Sequence, residues 1–239
     1  MVRILAIDTS ATVASCAVVE GEKLVCEHIL NNKLTHSQTI MPQVEAVLRE
    51  GELTVADIDL FAAVTGPGSY TGLRIGVSAV KALAHAANKP CAAVSALEAM
   101  AYNLACSNAI IVPIMDARRE QVYNAIYRSN GNVLSEITAP RAISIIDCCK
   151  EIADMGEKAV FLGDGLAVYR NIIKEQLGEL AIFAPANINA QMAASAAVLA
   201  ASKPQISYSE LSPFYLRKSQ AEREYEEKRS MLNNDSNRK

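Results

Sequence analysis

The stretch VRILAIDTS, Val2 to Ser10, is a run that is apolar apart from Arg3 and ends in an aspartate and two hydroxyl residues. A fully buried strand has this pattern, because both of its faces need apolar side chains. Further apolar runs at 13–19 and 24–30, separated by a Gly-containing turn at 20–23, predict two more strands. The chain therefore begins with a predicted three-stranded meander that has Asp8 at the end of its first strand.

A helix, a strand and a second helix are predicted after the meander. Apolar residues recur at helical spacing between 36 and 50. Pro42 must lie in the first turn of this helix or kink it. A short strand at 60–64 then runs into a Gly-Pro-Gly loop at 66–68, and a helix rich in small residues follows at 72–87, where Lys-Pro ends it.

The second half of the chain repeats this order. Its predicted strands are 110–115, 122–127, 133–137 and 159–162, its predicted helices are 144–155 and 166–177, and a Gly-Asp-Gly loop lies at 163–165. Asp116 takes the place of Asp8. Tandem copies of this kind predict a duplicated α/β fold of the actin-like or ribonuclease H-like type, shared by sugar kinases and chaperone ATPases, in which related domains face each other. The alternative is a pair of unrelated α+β halves.

The repeat also predicts the domain boundaries. Residues 1–104 form the first actin-like domain and residues 105–216 the second. An Ala-rich helix at 190–201 is a candidate to pack back onto the first domain. The remaining segment, 217–239, is charged and poor in apolar residues, which favours a frayed helix or disorder.

Composition limits the classes of function. The formal net charge is −3 and the isoelectric point is near 5.7, with basic residues dispersed, which argues against a self-sufficient nucleic-acid binder. The apolar stretches are far shorter than the ~20 residues of a membrane-spanning helix. No signal peptide is visible, and the six cysteines have no CxxC spacing, so buried reduced thiols, a cytoplasmic location and no membrane association are expected.

Two polar loops are candidate ligand sites. Asp8 and Ser10 follow a strand in the position where open α/β sheets bind phosphate or magnesium, although polar strand endings are also common. Gly66, Gly68 and Ser69 precede a helix whose amides could face an anion, although a tight turn with a serine cap explains them equally. No Walker sequence follows. We therefore interpret these five residues as the remnant of a phosphate site.

The helix at 72–87 carries more apolar surface than one sheet can cover, with small residues on several faces. We hypothesise that it contributes to a subunit interface as well as to a core. The alternative is a helix enclosed within one domain.

Catalytic patterns are absent from the sequence. The three histidines, His28, His36 and His85, lie in different elements without HxxH or HxxxH spacing, which argues against a histidine metal site. No GxSxG motif is present. We predict neither catalytic nor metal-binding residues.

Four stretches together resemble the TsaB (YeaZ) family. They are IDTS at 7–10, HSQTIMP at 36–42, AVTGPGSYTGLRIGVSAVKALA at 63–84 and SPFYLRKSQAE at 212–222. The resemblance covers essentially residues 1 to 222. It implies an actin-like, non-catalytic subunit of the machinery that places threonylcarbamoyl on an adenosine of tRNA (t6A).

The resemblance also explains why catalysis is not expected. The related TsaD family carries metal-ligand histidines four residues apart after the same helix, in a pattern like V-N-H-x-x-G-H. Here the matching run is VSALEAM, and Ala96 and Met100 stand at the histidine positions. Neither offers an imidazole.

The family resemblance implies partners as well. These are a TsaD-like protein, a TsaE-like ATPase, a second copy of the chain when TsaD is absent, and tRNA only indirectly. The implied interface uses the helices beginning near 36 and 72, with the residues His36, Ile40, Val44, Leu73, Arg74, Val77 and Lys81. No cofactor is assigned, and ATP or ADP at the partner interface is left open. The competing functions are an actin-like ATPase and a glycoprotease-type peptidase.

Overall fold

A computed structural model of the chain describes residues 1–32, 34–131 and 133–217. The strands are β1 (Arg3–Asp8), β2 (Ala14–Glu20), β3 (Lys23–Leu30), β4 (Leu60–Gly66), β5 (Cys91–Ser95), β6 (Ile110–Asp116), β7 (Gln121–Ser129), β8 (Leu134–Ser144), β9 (Ala159–Leu162) and β10 (Ala181–Phe183). The α-helices are α1 (His36–Glu50), α2 (Tyr70–Ala87), α3 (Ala96–Tyr102), α4 (Ile145–Met155), α5 (Leu166–Leu177) and α6 (Ala193–Ala200). Of the predicted C-terminal tail, residues 218–239 lie outside the described residues.

Two five-stranded sheets share one topology. The strand order is β3-β2-β1-β4-β5 in the first sheet and β8-β7-β6-β9-β10 in the second. In each sheet the first three strands pair antiparallel, and the fourth and fifth run parallel to the first. The predicted duplicated α/β fold of the actin-like or ribonuclease H-like type is therefore confirmed.

The helices form three layers around the sheets. Helices α1 and α2 share a hydrophobic cluster with one face of the first sheet, and α4 and α5 share another with one face of the second. A third cluster lies between the sheets and contains α3 and α6. Helix α3 follows the first sheet in sequence and contacts β4 and β5 of that sheet, but it also contacts β6 and β7 of the second, whereas α6 follows the second sheet and contacts β1 and β2. The last helix of each copy therefore packs against the sheet of the other copy, and we call this arrangement the exchange of α3 and α6.

Three short elements were not predicted from the sequence: β5, α3 and β10. Strands β5 and β10 contain 5 and 3 residues and α3 contains 7, too few for a recognisable period. Pro42 is the seventh residue of α1, beyond its first turn, and the helix continues through it. Within the described part of the chain, no helix is both long and apolar enough to cross a membrane.

Candidate functional site

Asp8 ends β1 and is fully buried. One carboxylate oxygen, Oδ1, accepts a hydrogen bond from the amide of Ser10 at 2.8 Å, while Oδ2 has no hydrogen-bond partner. Burial raises the pKa of Asp8, and the bonds from Ser10 oppose this rise. The buried carboxylate therefore stabilises the turn after β1 by accepting the hydrogen bond from the Ser10 amide.

The glycine loop and the start of α2 lie directly against this turn. The amide of Ser69 donates to the carbonyl of Ser10 at 2.7 Å, and the Ser69 hydroxyl accepts from the amide of Gly72. Thr9 Oγ1 donates to the carbonyl of Gly72 at 2.7 Å. A methyl group at Gly72 would lie 2.1 Å from the carbonyl oxygen of Thr9. The loop amides of Ser69 and Gly72 therefore bond to protein groups, as in the tight-turn interpretation.

A cleft of 420 Å³ lies between the strand ends of the two copies. Ser10, Gly68 and Ser69 line it from the first copy, and Asp116 and Asp164 line it from the second. Three of the five predicted phosphate-site residues are therefore brought together here. Gly66 instead lies against the backbone of Phe214. A methyl group at Gly66 would be 2.3 Å from the carbonyl oxygen of Phe214.

The second copy supplies the carboxylates that line the cleft. Asp116 accepts hydrogen bonds from the amide of Arg118 at 2.9 Å and from the hydroxyl of Tyr169 at 3.2 Å. Burial, followed by the charge of Asp116, raises the pKa of Asp164 to about 6. One Asp164 oxygen, Oδ1, has no hydrogen-bond partner. The sequence shows Asp164 only as part of the Gly-Asp-Gly loop, because a pKa shift of this kind arises from tertiary burial.

Residues 211–217, which we call the cleft strap, cross from the first copy to the second. The Phe214 amide donates to the carbonyl of Thr65 at 2.8 Å, and the Tyr215 ring stacks on Tyr70 with centroids 4.5 Å apart. At the far end, Arg217 Nη1 donates to the carbonyl of Ala117 at 3.1 Å. The strap lines the cleft through Phe214, Tyr215 and Arg217.

Comparison with known proteins identifies the family. A family model described as TsaD, tRNA N6-adenosine threonylcarbamoyltransferase, matches residues 24–225. The tRNA threonylcarbamoyladenosine biosynthesis protein TsaB of Bacillus subtilis is 32% identical over 92% of this chain and 96% of its own length. The chain belongs to the TsaB family. The TsaB protein of Haemophilus influenzae is 29% identical over 90% of this chain and 93% of that protein.

Solved structures agree with the TsaB family fold. A Pseudomonas aeruginosa protein described as similar to the peptidase YeaZ superposes with a TM-score of 0.77, covering 91% of this chain and all of that chain at 24% identity. YeaZ from the same organism gives a TM-score of 0.71 at 22% identity, covering 90% of this chain and 100% of that chain. At these identities the likeness concerns the fold.

The residues of the interface implied by the TsaB family resemblance are not all at the surface. Ile40, Val44 and Val77 are buried in the hydrophobic cluster between α1, α2 and the first sheet, and Leu73 is also buried. His36 is half-buried, with Nε2 2.7 Å from the carbonyl oxygen of Ala11.

Two further residues of that predicted interface contact the cleft strap. Arg74 Nε donates to the hydroxyl of Tyr215 at 3.1 Å, and Lys81 Nζ donates to the carbonyl of Leu211 at 3.1 Å. In the isolated chain these residues contact the first copy's core and the strap, and their part in a partner interface stays a prediction.

The surface that α1 and α2 leave uncovered is an apolar groove that sequence analysis did not identify. It has a volume of 570 Å³, and its lining residues include Met41, Pro42, Val44, Leu48, Leu53 and Leu83. Met41 has 45% of its surface exposed, which is high for a residue of this type. We refer to this surface as the α1–α2 groove.

Ala96 and Met100, which stand at the histidine positions of the TsaD family pattern, lie on α3 and are fully buried between the sheets. The side chains beside them belong to the central hydrophobic cluster. Met100 accepts a weak hydrogen bond at its sulfur from Gln191 Nε2 at 3.3 Å. Ala96 and Met100 are therefore part of the buried hydrophobic core.

Proposed function

We propose that the chain is a non-catalytic subunit in t6A biosynthesis that binds and supports a TsaD-like threonylcarbamoyltransferase. The observation that carries the proposal is the contrast between the family match and α3. The chain aligns with proteins named for t6A biosynthesis over nearly its whole length, yet Ala96 and Met100 replace the imidazoles that the resemblance implies for the catalytic relatives. Neither side chain binds metal through nitrogen, and both are enclosed.

The α1–α2 groove supports the choice of partner surface. Exposed apolar grooves of this kind mark sites of protein interaction. It is lined mainly by α1 and the segment after it, with Leu83 from α2, and α1 and α2 are the two helices that the family resemblance assigns to contact with TsaD. The same surface would pair two copies of the chain when TsaD is absent, since both partners use the same duplicated fold. Val44, which is almost fully buried, forms part of the groove's lining.

The remaining partners follow from charge and family. A net charge of −3 disfavours direct binding of tRNA, so tRNA is reached through the TsaD-like protein. A TsaE-like ATPase completes the proposed assembly, with the two domains of this chain at 1–104 and 105–216. The proposed location is the cytoplasm, where tRNA is modified.

Co-purification tests the proposed interface. In a cell extract or with co-expressed proteins, Met41→Glu should weaken capture of the TsaD-like protein at least about tenfold, because a charge enters an apolar contact. Val168→Glu is the matched control, since Val168 is 58% exposed on α5 at the other end of the molecule. A deletion strain complemented with Met41→Glu should also contain less t6A. Unchanged capture by both variants would contradict the proposed interface. Normal t6A levels in the deletion strain would contradict the proposed function.

A nucleotide-binding role is the second candidate, and the 420 Å³ cleft between strand ends favours it. Calorimetric titration of the full chain with ATP and magnesium separates the two roles. Tight ATP binding with hydrolysis would contradict the proposed non-catalytic role and would identify the chain as an actin-like ATPase. Binding only in the presence of the TsaD-like protein would place the nucleotide at the partner interface.

A further inference from the structure

Three potential metal ligands meet on the outer side of the first sheet, far from the cleft residues. Cys26 and His28 lie on β3, and Glu50 is the last residue of α1. Their ligand atoms, one thiol sulfur, one imidazole nitrogen and one carboxylate oxygen, all lie within 4.8 Å of one another. Sequence analysis predicted no metal site because it considered histidine pairs, whereas this group contains a Cys-x-His pair and a distant glutamate.

Strand geometry explains why the side chains of Cys26 and His28 share a face. Residues two apart on a strand point to the same side of the sheet. The intervening Glu27 points to the inner side, where its Oε1 accepts from the amide of Ala194 on α6 at 2.9 Å. Helix α1 covers the opposite side and ends beside β3, which brings Glu50 to the pair.

The distances are close to those of a tetrahedral zinc site. Cys26 Sγ and His28 Nε2 lie 3.6 Å and 2.8 Å from Glu50 Oε2. Ligands bound to Zn²⁺ at about 2.3 Å for sulfur and about 2.0 Å for nitrogen and oxygen would be separated by about 3.5 Å (S to O) and about 3.3 Å (N to O). The sulfur to oxygen distance already matches, and the His28 to Glu50 contact needs to open by about half an ångström.

The surroundings favour a cation. Glu50 stands at the C-terminal end of α1, where the helix dipole disfavours a carboxylate and favours positive charge. The nearby guanidinium, Arg49, contacts the other oxygen of Glu50, Oε1, at 3.8 Å, so Oε2 remains directed at Cys26 and His28. Side-chain exposure is 31% for His28 and 48% for Glu50, which leaves solvent access on the outer side.

We infer that Cys26, His28 and Glu50 form a binding site for a zinc-type divalent transition-metal ion. The thiol proton of Cys26 passes to solvent when the metal binds, so the ion is held by thiolate, imidazole and carboxylate, with water in the fourth position. Mixed sulfur, nitrogen and oxygen ligands select zinc over the hard cation Mg²⁺. The bound ion would fasten the end of α1, and with it the Leu48 and Arg49 side of the α1–α2 groove, to the edge strand β3.

Cobalt titration of the reduced, full-length chain tests this site. Co²⁺ takes the place of zinc and reports a thiolate ligand by a sulfur-to-cobalt charge-transfer absorption, with visible bands typical of tetrahedral geometry. We expect saturation at one equivalent, displacement by one equivalent of Zn²⁺, and no response to Mg²⁺. The charge-transfer band should disappear in Cys26→Ser and persist in Cys106→Ser, the matched control at an exposed cysteine.

Two further variants test the other two proposed ligands, His28 and Glu50. Removing a ligand in His28→Gln or Glu50→Gln should weaken Zn²⁺ binding by more than the about 10–100-fold that loss of an outer-shell partner causes. All three positions are at least partly exposed, and far-UV circular dichroism of each variant verifies the fold. Absence of saturable binding, or cobalt spectra and Zn²⁺ affinities that Cys26→Ser leaves unchanged, would overturn the proposal.

Discussion

The strand-end acids of the two copies, Asp8 and Asp116, occupy the same place in the same topology and have opposite surroundings. Asp8 is fully enclosed, and helix α2 packs on the turn that follows it through Gly72 and Gly76. Asp116 lines the open cleft and accepts a hydrogen bond from Tyr169 on α5. The third residue of each helix also differs: it is the buried Gly72 in α2, but in α5 it is Val168, which is 58% exposed.

This difference shows that a duplicated topology preserves the position of a strand end but not its chemistry. Small side chains in α2 let its backbone reach Thr9, so the first copy closes its own strand end with hydrogen bonds. In the second copy Tyr169 on α5 instead reaches Asp116 through its hydroxyl, and Asp116 and Asp164 supply the carboxylates of the cleft. A site on such a fold depends on the residues that pack behind it.

The largest effect is expected from removing the close approach in the first copy. Gly72→Ala places a methyl group 2.1 Å from the Thr9 carbonyl oxygen, and neither backbone segment can move without breaking hydrogen bonds. The free energy of unfolding should fall by about 3 kcal/mol or more, the upper range for overpacking. Urea unfolding measures this, with Val168→Ala at the equivalent position of α5 as a control that should change stability by less than about 0.5 kcal/mol. Equal stability of both variants would show that the copies do not differ here.

The cleft acids of the second copy should make stability depend on pH. The folded-state pKa of Asp164 is raised from 3.8 to about 6. The unfolded chain releases this proton near pH 4 and the folded chain only near pH 6, so the free energy of unfolding should fall between these values as pH rises, by about 2–3 kcal/mol. Asp164→Asn should remove this fall, whereas Asp147→Asn, on the surface of α4, should retain it. Equal pH profiles for the parent and Asp164→Asn would contradict the assignment.

A smaller effect is expected where the cleft strap joins the copies. Tyr215→Ala removes the ring stacked on Tyr70 and the hydroxyl that Arg74 contacts, which should cost about 1 kcal/mol locally. Hydrogen exchange at the Phe214 amide should then accelerate several-fold. Tyr208→Ala is a matched control, because Tyr208 is equally exposed at 36% and packs on His85, at the other end of α2. Acceleration in both variants would mean that the strap opens with the whole domain.

The smallest effect concerns the exchanged helices. Lys203, just after α6, forms hydrogen bonds with both carboxylate oxygens of Glu98 on α3, at 2.7 and 2.8 Å. Glu98→Gln should lower the free energy of unfolding by about 0.5–1 kcal/mol, and high salt should reduce the difference. Lys150→Ala, which removes an exposed ion pair on α4, serves as the comparison and should cost less. A larger loss of unfolding free energy in Lys150→Ala than in Glu98→Gln would contradict the expected contribution of the Glu98–Lys203 pair.

Sequence patterns predicted the duplicated fold because each copy repeats long, regular signals. The bounds of α1, β9 and α5 agree with the predicted helices and strand at 36–50, 159–162 and 166–177. The exchange of α3 and α6 was not predictable in full, because α3 is short and its contacts with the second sheet are with strands that come later in the chain.

The candidate sites were predictable only in part. The sequence placed Ser10, Gly68 and Ser69 near each other, and the structure brings them to one cleft. The raised pKa of Asp164 depends on burial, and the Cys26, His28 and Glu50 group depends on where α1 ends against β3. Both arise from tertiary packing between segments that no local pattern connects.

The exchange of α3 and α6 has a consequence for synthesis on the ribosome. The inner face of the first sheet is covered by α6, which is translated about a hundred residues after that sheet, a delay of about 5–20 s at typical elongation rates. Until then the nascent first half exposes an apolar surface that only the last part of the chain can cover. The first half therefore cannot complete its folding until the second half has been synthesised. A chain whose translation stops before α6 would expose this apolar surface to chaperones.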